Sequence, residues 1–373
     1  MRRKKEKQTI DWQLLVISGL LIAWGLLTMA TASFPLSLKN FGQPWHYLFS
    51  QLIKLVLGLL LAFLAFRLPL VKIKKYAPYF FAFTLILLGL VFIPQISVKS
   101  GGASRWLNFW GFSFQPSEFL KITFILYLAA WLSSRKTKGR KKQLGWQALI
   151  PFIIVLTILL AFLIKQPDLS TLLIVAAIGL FLYFLTPSPW WHSVCLCLLL
   201  LAAFSIFVFS SPYRVTRLKA MIEPQSDALG SRYQLQQALI AIGSGKLLGI
   251  EGGLALGLSR QKFGFLPESI TDSIFAIVAE ETGFLGAFLL ILLFLLFLVK
   301  GVKIGLKAKN DFSRLAAMGI AFWIGLQALL NIGGIIGIIP LAGIPLPFFS
   351  YGGSHLIAEL IAVGILLNIS KAL

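Results

Sequence analysis

The chain has 373 residues, 58% hydrophobic and 13% charged, with 34 Lys and Arg against 13 Asp and Glu for a net charge of +21. So low a charged fraction excludes an ordinary soluble domain, which needs far more charged surface. The basic residues stand in short clusters between long apolar runs, the pattern of cytoplasmic loops in membrane proteins, so a nucleic-acid partner is set aside despite the charge.

A helix needs about 20 apolar residues to cross a bilayer. Runs of that kind lie at 12–33, 45–66, 76–94, 116–133, 146–165, 169–186, 190–211, 273–299, 312–338 and 351–370. They predict an all-α integral membrane protein with ten transmembrane helices, a single polytopic domain over 1–373. The first run follows Arg2, Arg3, Lys4 and Lys5, is too long for a signal-peptide core and lacks a small-residue cleavage site, so it reads as a retained span behind a basic tail at 1–11. With that tail inside, most basic residues fall in cytoplasmic segments: Arg67 to Lys75, Arg135 to Lys142, Lys300 to Arg314 and Lys371. The short outer segments hold only Lys39, Lys99, Arg105 and Lys165, so both termini are expected in the cytoplasm.

Two outer segments stand apart. One, at 95–115, reads QISVKSGGASRWLNFWGFSFQ. The other, at 212–272 between spans seven and eight, is too long for a plain connection and is expected to be functional. Within it RYQLQQALIAIGSG has apolar residues at helical spacing, which predicts a short helix lying on the membrane surface. Cys195 and Cys197 are two apart in one apolar run and do not face each other on a helix, so no disulfide is expected. His46, His192 and His355 are scattered, without zinc-ligand spacing.

Charge inside a span costs several kcal/mol and faces the bundle interior or a watery cavity. The candidates are Lys54, Glu118, Lys121, Asp168, Glu280, Glu281 and Glu359. Glu118 and Lys121, three apart, are expected to pair, with Pro116 in the first helical turn. Lys54 is expected to snorkel or pair. Asp168 in QPDLS opens a span, where a carboxylate caps a helix and favours its macrodipole. Asp272 closes the long outer loop, opens a span, and has Glu268, Arg260 and Lys262 near it in sequence, an arrangement suited to general-base work on an anionic ligand. Glu280 lies about 12 Å deeper along that helix and Glu281 points away from Asp272, which reads as structural.

These residues carry a resemblance. GGASRWLNFWGFSFQPSEFLKI, QPDLST, YQLQQALIAIGSG, GLSRQKFGFLPESITDSIFAIVAEETG and NIGGIIGIIPLAGIPLPFFSYGGS, in this order, are similar to the SEDS family of bacterial cell-wall glycosyltransferases, which includes RodA, FtsW and SpoVE. The resemblance implies a peptidoglycan glycosyltransferase that polymerises lipid II, with Asp272 as the proposed catalytic residue. It implies substrate-binding roles for Arg105, Trp106, Glu118, Lys121, Asp168, Ser259, Arg260, Gln261, Lys262 and Glu268, and a class B penicillin-binding protein as partner. A magnesium or manganese ion held by Asp272 is the alternative to a general base. The SRQK segment at 259–262 looks like division-type members, which implies work at the septum with other division proteins. The chain departs from the family pattern at Ser170, Ile270, Ser273, His355 and Glu359. A non-catalytic division scaffold and a lipid II flippase are the competing readings. The first is kept open by positions 270 and 273; the second would need essential charge at mid-membrane and, often, repeated halves, which this sequence does not show.

Overall fold

A computed structural model describes residues 10–100, 103–109, 112–135, 145–209, 231–250, 257–341 and 343–373. The basic cluster at 2–7, most of the cluster at 135–142, and residues 210–230 and 251–256 of the expected long loop lie outside the described residues.

Eleven helices and three strands are described: α1 (Trp12–Phe41), α2 (His46–Arg67), α3 (Leu70–Leu90), β1 (Ser97–Ser100), β2 (Ala103–Phe109), β3 (Phe112–Phe114), α4 (Pro116–Ser134), α5 (Trp146–Lys165), α6 (Leu169–Phe184), α7 (Trp190–Phe209), α8 (Ser231–Ser244), α9 (Ile274–Lys307), α10 (Asp311–Ile335) and α11 (Gly353–Lys371). Seven of them, α1, α2, α3, α5, α9, α10 and α11, are long and apolar enough to cross a bilayer. The other three expected spans are helical too, as α4, α6 and α7. The expected short helix in the long loop is α8.

Helix ends differ from the hydropathy reading where local chemistry carries the helix onward. Asp11 caps α1 by accepting from the Leu14 amide, and the helix continues past Pro35 to Gly42, whose left-handed backbone (φ 66°) closes it. Ser37 Oγ then donates to the Gln43 carbonyl and accepts from the His46 amide, so a tight corner joins α1 to α2. The antiparallel sheet β1–β2–β3 was not expected. It pairs Val98 with Trp106 and Leu107 with Phe114, and with Gln115 it brings Arg105 and Trp106 to the start of α4.

The centre of the bundle is α4, α10 and α11. The apolar windows of α10 and α11 are 72% and 83% buried, whereas those of α2 and α3 are 22% and 28% buried and show their apolar side chains outward. Small residues let neighbours approach closely, as membrane helices need when no hydrophobic effect drives them together. A Cβ on Gly364 of α11 would fall 2.3 Å from the Ala62 carbonyl oxygen of α2. At one end of the bundle, here the sheet end, lie the sheet and the start of α4. At the other end Asp11 meets Lys300 at 3.8 Å, and Asn368 donates to the Ala65 and Leu68 carbonyls.

α9 is broken at Gly283, which has φ 68° and ψ −167° inside an otherwise continuous helix. The break frees amides that a bilayer interior cannot satisfy, and the segment after α8 supplies the acceptors: the Phe284 amide donates to the Lys246 carbonyl at 2.9 Å and the Leu285 amide to the Leu247 carbonyl at 3.1 Å. The approach is so close that a Cβ on Gly283 would sit 2.3 Å from the Gly249 nitrogen. Positive φ and a backbone clash together predict that Gly283→Ala costs about 2–5 kcal/mol. Gly89→Ala, where a Cβ meets nothing within 4 Å, should be nearly neutral. Thermal unfolding of the detergent-solubilised protein checks both.

Candidate active site

Asp272 sits at the sheet end, half-buried, in the turn that enters α9. Two other elements hold its backbone. Asn331, near the end of α10, donates to the Asp272 carbonyl at 2.8 Å and to the Ile344 carbonyl at 2.7 Å. The loop between α10 and α11 supplies the rest: Ser350 Oγ donates to the Thr271 carbonyl and the Tyr351 amide to the Ile270 carbonyl at 2.7 Å. Gly343 lies beside the carboxylate, since a Cβ there would be 3.2 Å from Asp272 Oδ2. Ser273 Oγ accepts from Gln234 of α8 at 2.8 Å, which joins α8 to the same turn. The turn from Ile270 to Ser273 is therefore held from three elements, with one bond on Asp272 itself.

Ser259, Arg260 and Lys262 lie in a segment pinned along α9. Glu280 accepts from Ser259 Oγ and from the Arg260 amide at 3.1 Å. Lys262 is 5% exposed; its ammonium lies 3.4 Å from Glu281 and donates to the Gly257 carbonyl, while Glu281 also accepts from Thr31 Oγ1 at 3.2 Å. A carboxylate buried in a span needs a cation, and Lys262 is the one supplied here, while it also lines the cavity described below. The structural reading of Glu281 agrees with this pair. Arg260 keeps an exposed side chain, and Gln261 is half-buried in a short 3₁₀ turn. Glu268 has a left-handed backbone (φ 51°), and Thr271 Oγ1 donates to its Oε2 at 2.6 Å.

Arg105, Asp168, Glu118 and Lys121 form a second assembly. Arg105 donates to the Gln166 and Pro167 carbonyls, which ties β2 to the start of α6. Asp168 caps α6 by accepting from the Thr171 amide at 3.1 Å and also accepts from Ser117 at 3.2 Å. Trp106 is half-buried on the neighbouring strand position. Deeper in α4, Lys121 and Glu118 form the expected ion pair at 2.6 Å. Lys121 also donates to Gln327 at 2.9 Å; Gln327 donates to the Pro345 carbonyl at 3.1 Å and to Glu359 at 3.3 Å. Lys54 finds a partner in the Tyr351 hydroxyl at 3.1 Å and lies over that ring.

The ten expected binding residues thus divide into a group on the loop before α9 and a group around α4. α10 links the two, through Asn331 on the Asp272 carbonyl and Gln327 on Lys121. Beside the Asp272 turn a cavity of about 470 Å³ is lined by Lys39 of α1, Tyr47 of α2, Tyr351, and residues 262–264 and 266–271. Lys39, Tyr47, Tyr351, Asn331, Ser350 and Gly343 were not singled out from sequence. The Gly and Pro run GIPLPFFSYGG between two apolar spans was the available signal for the last two, because a backbone of that kind at membrane depth must be buried in protein. No group of three or more His, Cys, Asp or Glu side chains is placed to hold a metal among the described residues. Glu268, the carboxylate nearest Asp272 in the outer loop, is turned to Thr271. A protein-only donor set for magnesium or manganese is not formed among those residues.

A family model described as "Cell cycle protein", for FtsW, RodA and SpoVE, matches residues 11–373. The chain is 39% identical to a probable peptidoglycan glycosyltransferase FtsW of Coxiella burnetii, over 98% of each chain. It is 35% identical to the stage V sporulation protein E of Bacillus subtilis, again over 98% of each. Among solved structures it is similar to a chain of a peptidoglycan synthase complex that coordinates polymerization and crosslinking, with TM-score 0.79, 28% identity and coverage of 97% and 98%. It is also similar to the rod shape determining protein RodA of Thermus thermophilus, with TM-score 0.69, 26% identity and 97% of each chain covered.

Removing one partner of a buried pair strands the other's charge at a cost of about 3–5 kcal/mol. Lys262→Met should therefore destabilise the protein strongly, and Lys262→Met with Glu281→Leu should recover much of the loss. A double-mutant cycle on apparent melting temperature measures the coupling.

Proposed function

The chain belongs to the FtsW/RodA/SpoVE family, and from that premise we propose that it polymerises lipid II into glycan strands as a peptidoglycan glycosyltransferase. It is a multi-pass membrane protein. The sheet end faces the outside of the bacterial cytoplasmic membrane and both termini face the cytoplasm, a reading supported by the basic clusters at the opposite end of the chain's spans. The observation that carries the mechanism is Asp272, half-buried at the sheet end, held by the Asn331 bond to its carbonyl and next in sequence to Thr271, where the wall of a cavity large enough for sugar rings ends.

Both substrates are lipid-linked and stay in the outer leaflet, so the reacting sugars lie just above the membrane edge. The acceptor's 4-hydroxyl attacks the anomeric carbon of the donor. The new C–O bond forms as the bond to pyrophosphate breaks, and undecaprenyl pyrophosphate leaves with the electron pair. Asp272 takes the hydroxyl proton as general base. Attack on an α-linked donor inverts it to a β-1,4 link. Arg260, exposed on the loop, and Lys39, on the cavity wall, face the charge that grows on the leaving pyrophosphate. Tyr47, Phe263 and Tyr351 offer aromatic surface for the sugars. Arg105, Trp106, Asp168, Glu118 and Lys121 support the site from the α4 side, and no step is routed through a metal.

The likeness to a chain of a complex that coordinates polymerization and crosslinking supports a class B penicillin-binding protein as partner. The FtsW names of the relatives support a septal role with other division proteins.

Asp272→Asn keeps the shape and removes the base. The variant should be folded, with a melting temperature close to wild type, and should lose about a hundredfold or more of its rate. Purified protein incubated with lipid II and analysed on gels for glycan strands decides this, and normal polymer yield from the variant refutes the assignment.

A further inference from the structure

The loop that holds Asp272 is itself held by a carboxylate that the mechanism does not use. Glu359 of α11 is fully buried, and its Oε2 accepts from the Phe348 amide at 2.8 Å. Phe348 has φ 65°, a left-handed backbone that is strained for a phenylalanine. Its carbonyl is wedged against α1, where a Cβ on Gly25 would come within 2.3 Å of the Phe348 oxygen. The strained residue is thus fixed on both sides. Two and three residues on, the same loop gives the Ser350 and Tyr351 bonds to Thr271 and Ile270; five residues back, it places Gly343 beside the Asp272 carboxylate.

Glu359 keeps its charge only if that charge is balanced. The cluster around it holds Glu118, Lys121, Glu359 and His355, which are 5%, 1%, 0% and 5% exposed. Lys121 sits 2.6 Å from Glu118 and so balances one carboxylate. His355 Nδ1 lies 3.4 Å from Glu359 Oε1, and the charges acting on His355 are Glu359 on its own helix and Glu118 and Lys121 from α4. Lys54 of α2 approaches the helix start at Gly353 but donates to Tyr351. With His355 neutral, the buried cluster would carry one unbalanced negative charge, at a cost of several kcal/mol inside a bundle of spans. With His355 protonated, two acids face two bases.

We propose that Glu359, held as a carboxylate by a protonated His355, is a positioning residue for glycosyl transfer: it fixes the left-handed turn at Phe348 and, through the loop from Gly343 to Tyr351, sets Asp272 at the reacting hydroxyl. The proposal rests on the polymerase reading above.

The test is a cycle of His355→Gln, Glu359→Gln and the double variant in the lipid II polymerisation assay, with kcat and KM measured separately. His355→Gln leaves Glu359 unbalanced, so it should lower kcat by about tenfold with KM changed by less than about twofold, since a small misplacement acts on the chemical step. The double variant removes both charges while the amide oxygen of the glutamine introduced in place of Glu359 would still accept from Phe348, so it should regain most of the wild-type kcat. Glu359→Leu, which has no acceptor, should not be rescued by His355→Gln. A double variant no better than His355→Gln, or a His355→Gln protein with wild-type kcat, overturns the proposal. If Glu359→Leu does not fold, the cycle with glutamine decides alone. A wild-type protein inert on lipid II would sink the polymerase reading and this proposal with it, whereas an active wild type, a dead Asp272→Asn and an unaffected His355→Gln would sink only the proposal.

Discussion

Backbone that leaves helical geometry within a bilayer must find hydrogen-bond partners inside the protein, because lipid offers none. That constraint organises this molecule. Three irregular segments enter or border the bundle, and each is tied to polar groups of a neighbouring element. Glu280 and Glu281 of α9 hold the segment from Gly257 to Lys262. Glu359 of α11 and Asn331 of α10 hold the loop at 343–351. The carbonyls of Lys246 and Leu247 hold the break at Gly283. An acidic side chain on a long apolar helix reads as costly in isolation; here such residues serve as acceptors for loop amides and hydroxyls or as partners for a buried lysine.

The same ties explain how one half-buried aspartate at the entry of α9 is held in place. A carboxylate at the entry of a span has only its own helix to steady it, and a turn at a helix start frays. Asp272 escapes this because α10 holds its carbonyl, the 343–351 loop holds the carbonyls of Ile270 and Thr271 just before it, and α8 holds the Ser273 side chain just after it. The turn that carries it is thereby immobilised next to the cavity wall that ends at Thr271. Most of the positioning therefore comes from residues that never touch substrate, and they lie on elements far apart in sequence.

This separation sets how much was legible in the sequence. Hydropathy placed a helix in each of the ten expected runs, seven of them long and apolar enough to cross a bilayer, because twenty apolar residues in a row have few alternatives. The i to i+3 pair of Glu118 and Lys121 and the cap at Asp168 were legible because both are local. Asp272 was readable as a candidate from its place at a loop end and from the motif around it. The sheet at 97–114 was missed although Gly101-Gly102 and Trp110-Gly111 break a run of strand-forming residues, since the apolar spans on either side dominate any window. The partner of Lys262 was not legible for a deeper reason. Sequence places it ten residues from Asp272, but a lysine's partner is chosen by burial, and Glu281 lies nineteen residues away on the facing helix turn.

The arrangement also bears on whether charge in the middle of this bundle signals transport. A translocation pathway needs charged groups that meet water or cargo and exchange partners. Glu118, Lys121, Gln327 and Glu359 are instead closed on one another and on the carbonyl and amide of the 343–351 loop, with Trp323 donating to Gln327 at 2.8 Å to complete the shell. The bonds of Lys121 to Gln327 and of Gln327 to Glu359 join three helices, and those of Gln327 to Pro345 and of Phe348 to Glu359 join two helices to the loop beneath Asp272. Polarity engaged in this way suits a frame that holds a loop still. The cavity at the sheet end, with Lys39, Tyr47 and Tyr351 on its wall, is where a ligand can be met. Buried charge and chemical site are thus separate parts of one device, and the loop between α10 and α11 is the piece they share.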